Sequence, residues 1–164
     1  MKNLKKKPSF ELKSKIKMLE LIPINQTIEE NQEFINTEDV REGLYMTIEY
    51  YRTIGFNPPW IGYYAKINDI LVGSAGYKGQ PVNNKIEIAY GTFPNFRKQG
   101  IGTEICKQLV VLALKNDPSI IITARTLPEN NYSTKILEKN NFKLWGTVWD
   151  KDDGNVWEWA HSKI

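Results

Sequence analysis

The chain has a single cysteine, Cys106, and a single histidine, His161, among 164 residues. One thiol excludes an internal disulfide framework and fits a reducing compartment, so the expected location is the cytoplasm. The carboxylates Asp150, Asp152 and Asp153 have no histidine or cysteine beside them. They read as a solvated hairpin tip, and no metal is expected. Long apolar runs are also missing. The longest, Leu109 to Leu114, falls far short of a membrane span. The lysines near the N-terminus are not followed by an apolar stretch, so neither a signal peptide nor a membrane partner is expected.

Two phosphate-binding glycine motifs are absent as well. The dinucleotide fingerprint G-x-G-x-x-G needs a third small residue where, counting from Gly100 and Gly102, this chain has Ile105. The string G-x-x-x-x-G-K-[ST] occurs nowhere. The net charge of +3 is unevenly distributed. Residues 1–17 carry seven lysines and one glutamate, a balance of +6, which leaves −3 for the rest. A mildly acidic body does not read as a nucleic-acid binder. Residues 1–15 are expected to be a flexible basic arm, and a ribosome or nucleic-acid tether is the functional alternative for it.

What is present is a turn, Pro94-Asn95-Phe96-Arg97-Lys98-Gln99-Gly100-Ile101-Gly102-Thr103, between a strand-like run (Lys85 to Phe93) and an amphipathic helix. A glycine turn at a helix start leaves backbone N–H groups bare, and the helix dipole adds positive potential there. The absence of side chains lets a phosphate approach closely. A phosphorylated ligand is therefore expected at Arg97, Lys98, Gln99, Gly100, Ile101, Gly102 and Thr103.

The pattern R-x-x-G-x-G resembles the pyrophosphate signature of the GNAT acetyltransferases (Gcn5-related N-acetyltransferases). Three further segments resemble that family in the right order: Ile86 to Pro94 before the signature, Leu127-Pro128-Glu129-Asn130-Asn131-Tyr132-Ser133 running into Ile136 to Phe142, and Asp152 to Trp159. The form of the second is similar to the branch that acetylates ribosomal-protein N-termini. The resemblance covers roughly residues 16–162 and implies one domain over 16–164. Its fold would be α/β, a mixed sheet of about six or seven strands with two parallel strands splayed at the centre and about four helices around it. It implies acetyl-CoA as co-substrate and a primary amine as acceptor, either a protein N-terminus or a small molecule. The backbone of Gly91, Thr92 and Phe93 would track the pantetheine arm, and Asn130 would contact it by position.

Glu87 is the candidate general base. In Ile86-Glu87-Ile88 it points away from its apolar neighbours, and a carboxylate there matches the base of related GNAT enzymes. The competing reading is a strand glutamate paired with Lys85 or Arg125. Many GNAT enzymes place an acidic tyrosine where this chain has Leu137. Relatives with L-E-K have a serine near the sulfur, which makes Ser133 the transferred candidate for protonating the thiolate; a helix-start serine that only bonds backbone is the alternative. Leu137 also keeps open a non-catalytic acyl-CoA-binding module. His161 reads as a surface residue and Cys106 as core. Trp145, Trp149, Trp157 and Trp159 read as core and cross-strand packing, with an acceptor wall as the alternative.

Periodicity and punctuation place the elements. A strand is expected from Ile16 to Ile22 and a helix from a Thr27–Glu30 capping box to about Ile35. A second helix should start near Thr37, carry Val40, Leu44, Ile48 and Tyr51 on one face, and stop at Gly55. Strands follow at Trp60–Ile67 and Ile70–Gly79, joined by a tight Asn68-Asp69 turn, and at Lys85–Phe93, then a helix at Gly100–Lys115 and a buried strand at Ile120–Thr126. A short helix at Asn130–Asn140, with Asn141 as its left-handed stop, and a hairpin of Phe142–Trp149 with Asn155–Ala160 close the chain. Nothing in the pattern signals an oligomer. The region from about Thr27 to Trp60 and the last hairpin should frame the acceptor; a protein N-terminus would need an open groove there, and a small amine or antibiotic would favour a closed, acidic pocket.

Overall fold

In a computed structural model, which describes residues 10–16 and 18–163, seven strands form one sheet in the order β1-β2-β3-β4-β5-β7-β6. The strands are β1 (Glu20–Pro23), β2 (Gly62–Ile67), β3 (Ile70–Tyr77), β4 (Lys85–Thr92), β5 (Ile121–Thr126), β6 (Phe142–Asp150) and β7 (Gly154–His161). The helices are α1 (Phe10–Ile16), α2 (Gln32–Ile35), α3 (Glu38–Ile54), α4 (Ile101–Asn116) and α5 (Tyr132–Lys139). After α1, the order of strands and helices is the expected one.

The helices form where an apolar stripe meets the sheet. Val40, Leu44, Ile48 and Tyr51 on α3 are all buried, and Gly55, at φ 87°, ends that helix. On α4 the stripe is Ile101, Ile105, Leu109 and Ala113, which packs with Ile86, Ile88 and Ile122 of the central strands. The two helices take opposite faces because side chains alternate along a strand. Tyr77 donates to Leu109 O of α4 at 2.6 Å, whereas Tyr64 donates to Val40 O of α3 at 3.0 Å.

All strand pairs are antiparallel except β4–β5. That parallel pairing runs only from Lys85↔Ile121 to Ile88↔Ala124. Beyond it, β4 keeps β3 as partner to Thr92, and β5 keeps β7 to Thr126. The sheet is thus split down its middle over the last four residues of β4.

Several expectations shift. Ile16 ends a helix rather than opening a strand, and β1 begins only at Glu20. Residues 10–15 of the expected arm belong to α1, and residues 1–9 lie outside the described residues. The Thr27–Glu30 box forms, with Thr27 N–H on Glu30 Oε2 at 3.1 Å and Glu30 N–H on Thr27 Oγ1 at 3.4 Å. It opens only a 3₁₀ turn, Glu29–Asn31, before the four-residue α2. Asn31 is the reason. Its buried side chain accepts from Asn25 N–H and donates to the carbonyls of Asn25 and Thr27, pulling the segment back on itself. Asn141 sits at φ 63°, the left-handed stop expected of it.

Candidate functional site

The turn after β4 is held open by backbone geometry. Pro94–Phe96 forms a 3₁₀ turn, Arg97 is extended, Lys98 is left-handed at φ 63°, and Gly100 caps α4 at φ 85°. A second left-handed residue in so short a turn calls for glycine. Arg97 Nε donates to Thr92 O at 3.3 Å, tying the turn to the end of β4. Among the described residues no hydrogen bond uses the N–H groups of Lys98 through Thr103. The first one engaged is Glu104 N–H, on Gly100 O at 3.2 Å. Gly100 has no capping side chain. A row of free donors therefore sits at the positive end of a sixteen-residue helix.

This row lies at the mouth of the split between β4 and β5. Glu87 O accepts from Lys78 N–H and Phe93 N–H donates to Val72 O, both toward β3. Alternation then turns the backbone groups of Tyr90 and Thr92 toward the split, and those of Gly91 and Phe93 toward β3. Tyr90 crosses the split by its side chain: its hydroxyl donates to Ser133 O of α5 at 3.3 Å. Burial, and then the neighbouring Cys106 thiol, hold its phenol well above the ordinary value. Gly102 lies between the elements that form the mouth. A Cβ there would come within 2.8 Å of Ile136 Cδ1 and 3.1 Å of Thr92 Oγ1.

Glu87 stands on the α3 face of β4 with its side chain only 16% exposed. Lys78 Nζ contacts its Oε2, and Arg125 Nε lies 3.1 Å from Oε1. Oε2 is buried, in ion-pair contact with the Lys78 ammonium and with no hydrogen bond to it among the described residues. Arg125 is shared further: its Nη1 is 3.0 Å from Asp150 Oδ2 and its Nε 3.8 Å from Glu158 Oε2. The N–H of Asp152, then Arg125, then the N–H of Asp153 hold the Asp150 carboxyl below the usual carboxylate range. Two cations thus bridge three carboxylates, from Lys78 just after β3 across β4 and β5 to β7 and β6. Of the two expected partners of Glu87, Arg125 is there; Lys85 instead lies over the Trp145 ring at 5.2 Å. Lys78 and Asp150 carried no local signal, because only the strand register brings them to Glu87.

Two cavities flank this strip, and Lys78 lines both. One of about 280 Å³ is bounded by Arg125, Thr126, Asn131, Ser133, Asp150 and their neighbours at the end of β5. The other, of about 440 Å³, lies between α3 and the small residues Gly62, Gly76, Ala89 and Gly91 of the sheet. Ser133 is exposed on the first, and its hydroxyl makes no hydrogen bond among the described residues. The capping of α5 is done by its neighbours: Thr134 N–H donates to Asn131 Oδ1 at 3.2 Å and Asn131 N–H to Thr134 Oγ1 at 2.9 Å. Asn130 is exposed beside this cap, while Asn131 lines the cavity. Leu137 is fully buried.

The remaining candidates fall outside the site. Cys106 is buried and burial pushes its thiol up to about 12, so it is an inert core residue. His161 packs edge-on against Phe142 at 5.3 Å. Trp159 is buried and donates from Nε1 to Thr126 Oγ1 at 3.0 Å. Trp145 and Trp149 depart from the core expectation, at 53% and 73% exposed, because they project from the edge strand β6 where no layer covers them. Among the described residues no group of three or more His, Cys, Asp and Glu is placed to hold a metal, and no helix is long and apolar enough to cross a membrane.

Comparison with known proteins agrees with this geometry. A family model described as "Acetyltransferase (GNAT) domain" matches residues 8–143. The "Uncharacterized N-acetyltransferase YjdG" of Bacillus subtilis (strain 168) is 33% identical over 129 residues, 73% of this chain and 76% of that protein. Among solved structures, RimL, a ribosomal L7/L12 alpha-N-protein acetyltransferase in complex with coenzyme A, superposes with a TM-score of 0.62 at 17% identity, covering 88% of this chain and 93% of that one. The microcin C7 self-immunity acetyltransferase MccE, in complex with acetyl-CoA and AMP, gives 0.64 at 12% identity over 89% and 93%. At such identities the two structures speak for the fold alone.

Proposed function

On the premise that the chain belongs to the GNAT acetyltransferases, which transfer an acyl group from acetyl-CoA, we propose that it acetylates a primary amine by direct transfer. The acceptor would be a protein N-terminus or a small-molecule amine. One observation carries the reading: β4–β5 pairing ends at Ile88 and Ala124, and the bare N–H groups of Lys98 to Thr103 stand at the mouth of the resulting gap.

The residues present fit an elongated phosphorylated ligand. The amides from Lys98 to Thr103, with the α4 dipole, would hold its diphosphate. The strand edge at Tyr90 and Thr92 offers backbone donors and acceptors to an amide-bearing arm, much as a neighbouring strand would. Gly91 leaves space beside that edge, Phe93 and Arg97 fix its end, and Asn130 flanks it from α5. When bound, acetyl-CoA supplies an already activated thioester. Glu87 takes the proton that the acceptor nitrogen loses as its bond to the acetyl carbon forms and the C–S bond breaks. The free Ser133 hydroxyl donates to the departing thiolate. Positioning supplies much of the acceleration, and a base of this kind adds roughly 10²–10⁴.

A second reading is a non-catalytic acyl-CoA-binding module, favoured by the buried Leu137 where an acid would be usual. Thiol release from acetyl-CoA against a panel of peptides, polyamines and monoamines separates the two. Turnover on any amine supports the transferase; binding of acetyl-CoA without turnover on the whole panel supports the module.

A further inference from the structure

From the larger cavity we infer that the acceptor is a primary amine on an otherwise uncharged aromatic or aliphatic body, and not a polycation. This rests on the transferase reading above and narrows it to a substrate class.

The cavity of about 440 Å³ is in the range that encloses a small organic molecule or the first residue of a peptide. Its α3 wall and rim are apolar or aromatic: Val40, Tyr50, Tyr51, Tyr64 and Phe93. Two of these tyrosines have their hydroxyls committed to backbone. Tyr51 donates to Ile24 O at 2.8 Å and accepts from Gly62 N–H at 2.9 Å, and Tyr64 donates to Val40 O. They therefore turn ring carbon, not free polar groups, toward an occupant.

The charge pattern decides the class. Among the described lining residues the only ionised side chain is Lys78. The acidic residues Glu38, Glu42 and Glu49 of α3 are exposed and line none of it, and Glu49 is taken by Arg52 at 2.9 Å. One carboxylate, Glu87, lies outside the lining, in contact with Lys78 and Arg125. As the proposed base it serves the reacting nitrogen alone. A second ammonium deeper in the cavity would meet aromatic wall and the Lys78 charge with no carboxylate among the described lining residues to pair it, which is costly in such surroundings. The uncommitted hydroxyls of Ser74 and Tyr50 can serve one neutral polar group.

The test uses the full chain. Calorimetry with acetyl-CoA comes first, because absence of binding overturns the transferase reading itself. Thiol release is then followed with 2-phenylethylamine, a tripeptide beginning with phenylalanine, spermidine and an aminoglycoside. The expected result is a kcat/KM for at least one apolar amine that exceeds spermidine's by roughly tenfold or more, equivalent to about 1.4 kcal/mol of differential binding. Whether the amine or the peptide is preferred tells the small-molecule source from the protein one. Spermidine or the aminoglycoside turned over as well as the apolar amines overturns the proposal while leaving the transferase reading intact. Acetyl-CoA binding with no apolar amine turned over also overturns the proposal, and with no amine at all turned over it overturns the transferase reading too. Tyr50→Glu supplies a carboxylate on the exposed part of the wall and should narrow the ratio about tenfold; an unchanged ratio means that the acceptor lies elsewhere.

Discussion

Replacing Glu87 by glutamine keeps the shape of the side chain and removes its charge, which separates its two possible roles. As an ion-pair partner, Glu87 meets Lys78 and Arg125, whose side chains are 43% and 31% exposed. Exposed pairs contribute about 0–1 kcal/mol and breaking a buried one costs about 3–5, so this half-buried cluster should lose roughly 1–2 kcal/mol. For a chain of this size, that is a fall in Tm of roughly 2–8 °C. Against a typical stability of about 5–15 kcal/mol, the variant stays folded at 25 °C. As a base, Glu87 contributes roughly 10²–10⁴ in rate, or about 2.7–5.4 kcal/mol on the barrier. The stability loss cannot mimic that deficit. The pH profile sharpens the test. An alkylamine with a pKa near roughly 10 is almost wholly protonated at pH 7, so an enzyme without its base should gain about tenfold per pH unit as neutral acceptor accumulates. Steady-state thiol release from pH 6.5 to 9, with thermal denaturation alongside, measures both. Turnover within about threefold of wild type at pH 7, with only Tm lowered, would leave Glu87 a structural ion and refute the mechanism.

Three further outcomes are expected. Gly102→Val would drive its side chain into Ile136 and Thr92; overpacking of this kind costs about 1–3 kcal/mol, and calorimetry should show acetyl-CoA affinity falling with it because the mouth of the split is pried open. Tyr51→Phe strips a hydroxyl that serves both Ile24 O and Gly62 N–H. Two backbone groups lose their partner, and chemical denaturation should register a loss of about 1–3 kcal/mol. Burial, then Lys163, depress the His161 pKa. A histidine with a folded pKa below its unfolded value adds stability above roughly pH 6.5 that is lost as pH falls through the folded pKa. Denaturation midpoints of His161→Phe should therefore decline less than those of the wild type between pH 7.5 and 5.

The elements that were legible in the sequence are those set by local chemistry. The α3 stripe of Val40, Leu44, Ile48 and Tyr51, the Asn68-Asp69 hairpin with Asn68 at φ 54°, and the Asn141 stop each depend on a few neighbouring residues. The turn from Arg97 to Thr103 was legible for the same reason. Asn31 was not, since its side chain reaches back six residues to break a helix that the capping box starts. Nor was the charged strip, because Lys78, Glu87, Arg125 and Asp150 are brought together by strand register across the sheet. The Tyr90 bridge to Ser133 spans forty-three positions and depends on where the two strands part. Spacing marked a tryptophan-rich hairpin but not which rings are covered, which follows from β6 lying at the sheet's edge.

The central claim is that unpaired amides at the start of α4 grip the diphosphate of acetyl-CoA. An ¹H–¹⁵N NMR titration of the full chain reads those amides one by one. Acetyl-CoA should move the resonances of Lys98 through Thr103 strongly downfield, as N–H groups do on meeting a charged acceptor. Saturable binding that leaves those signals in place and shifts amides elsewhere would contradict it.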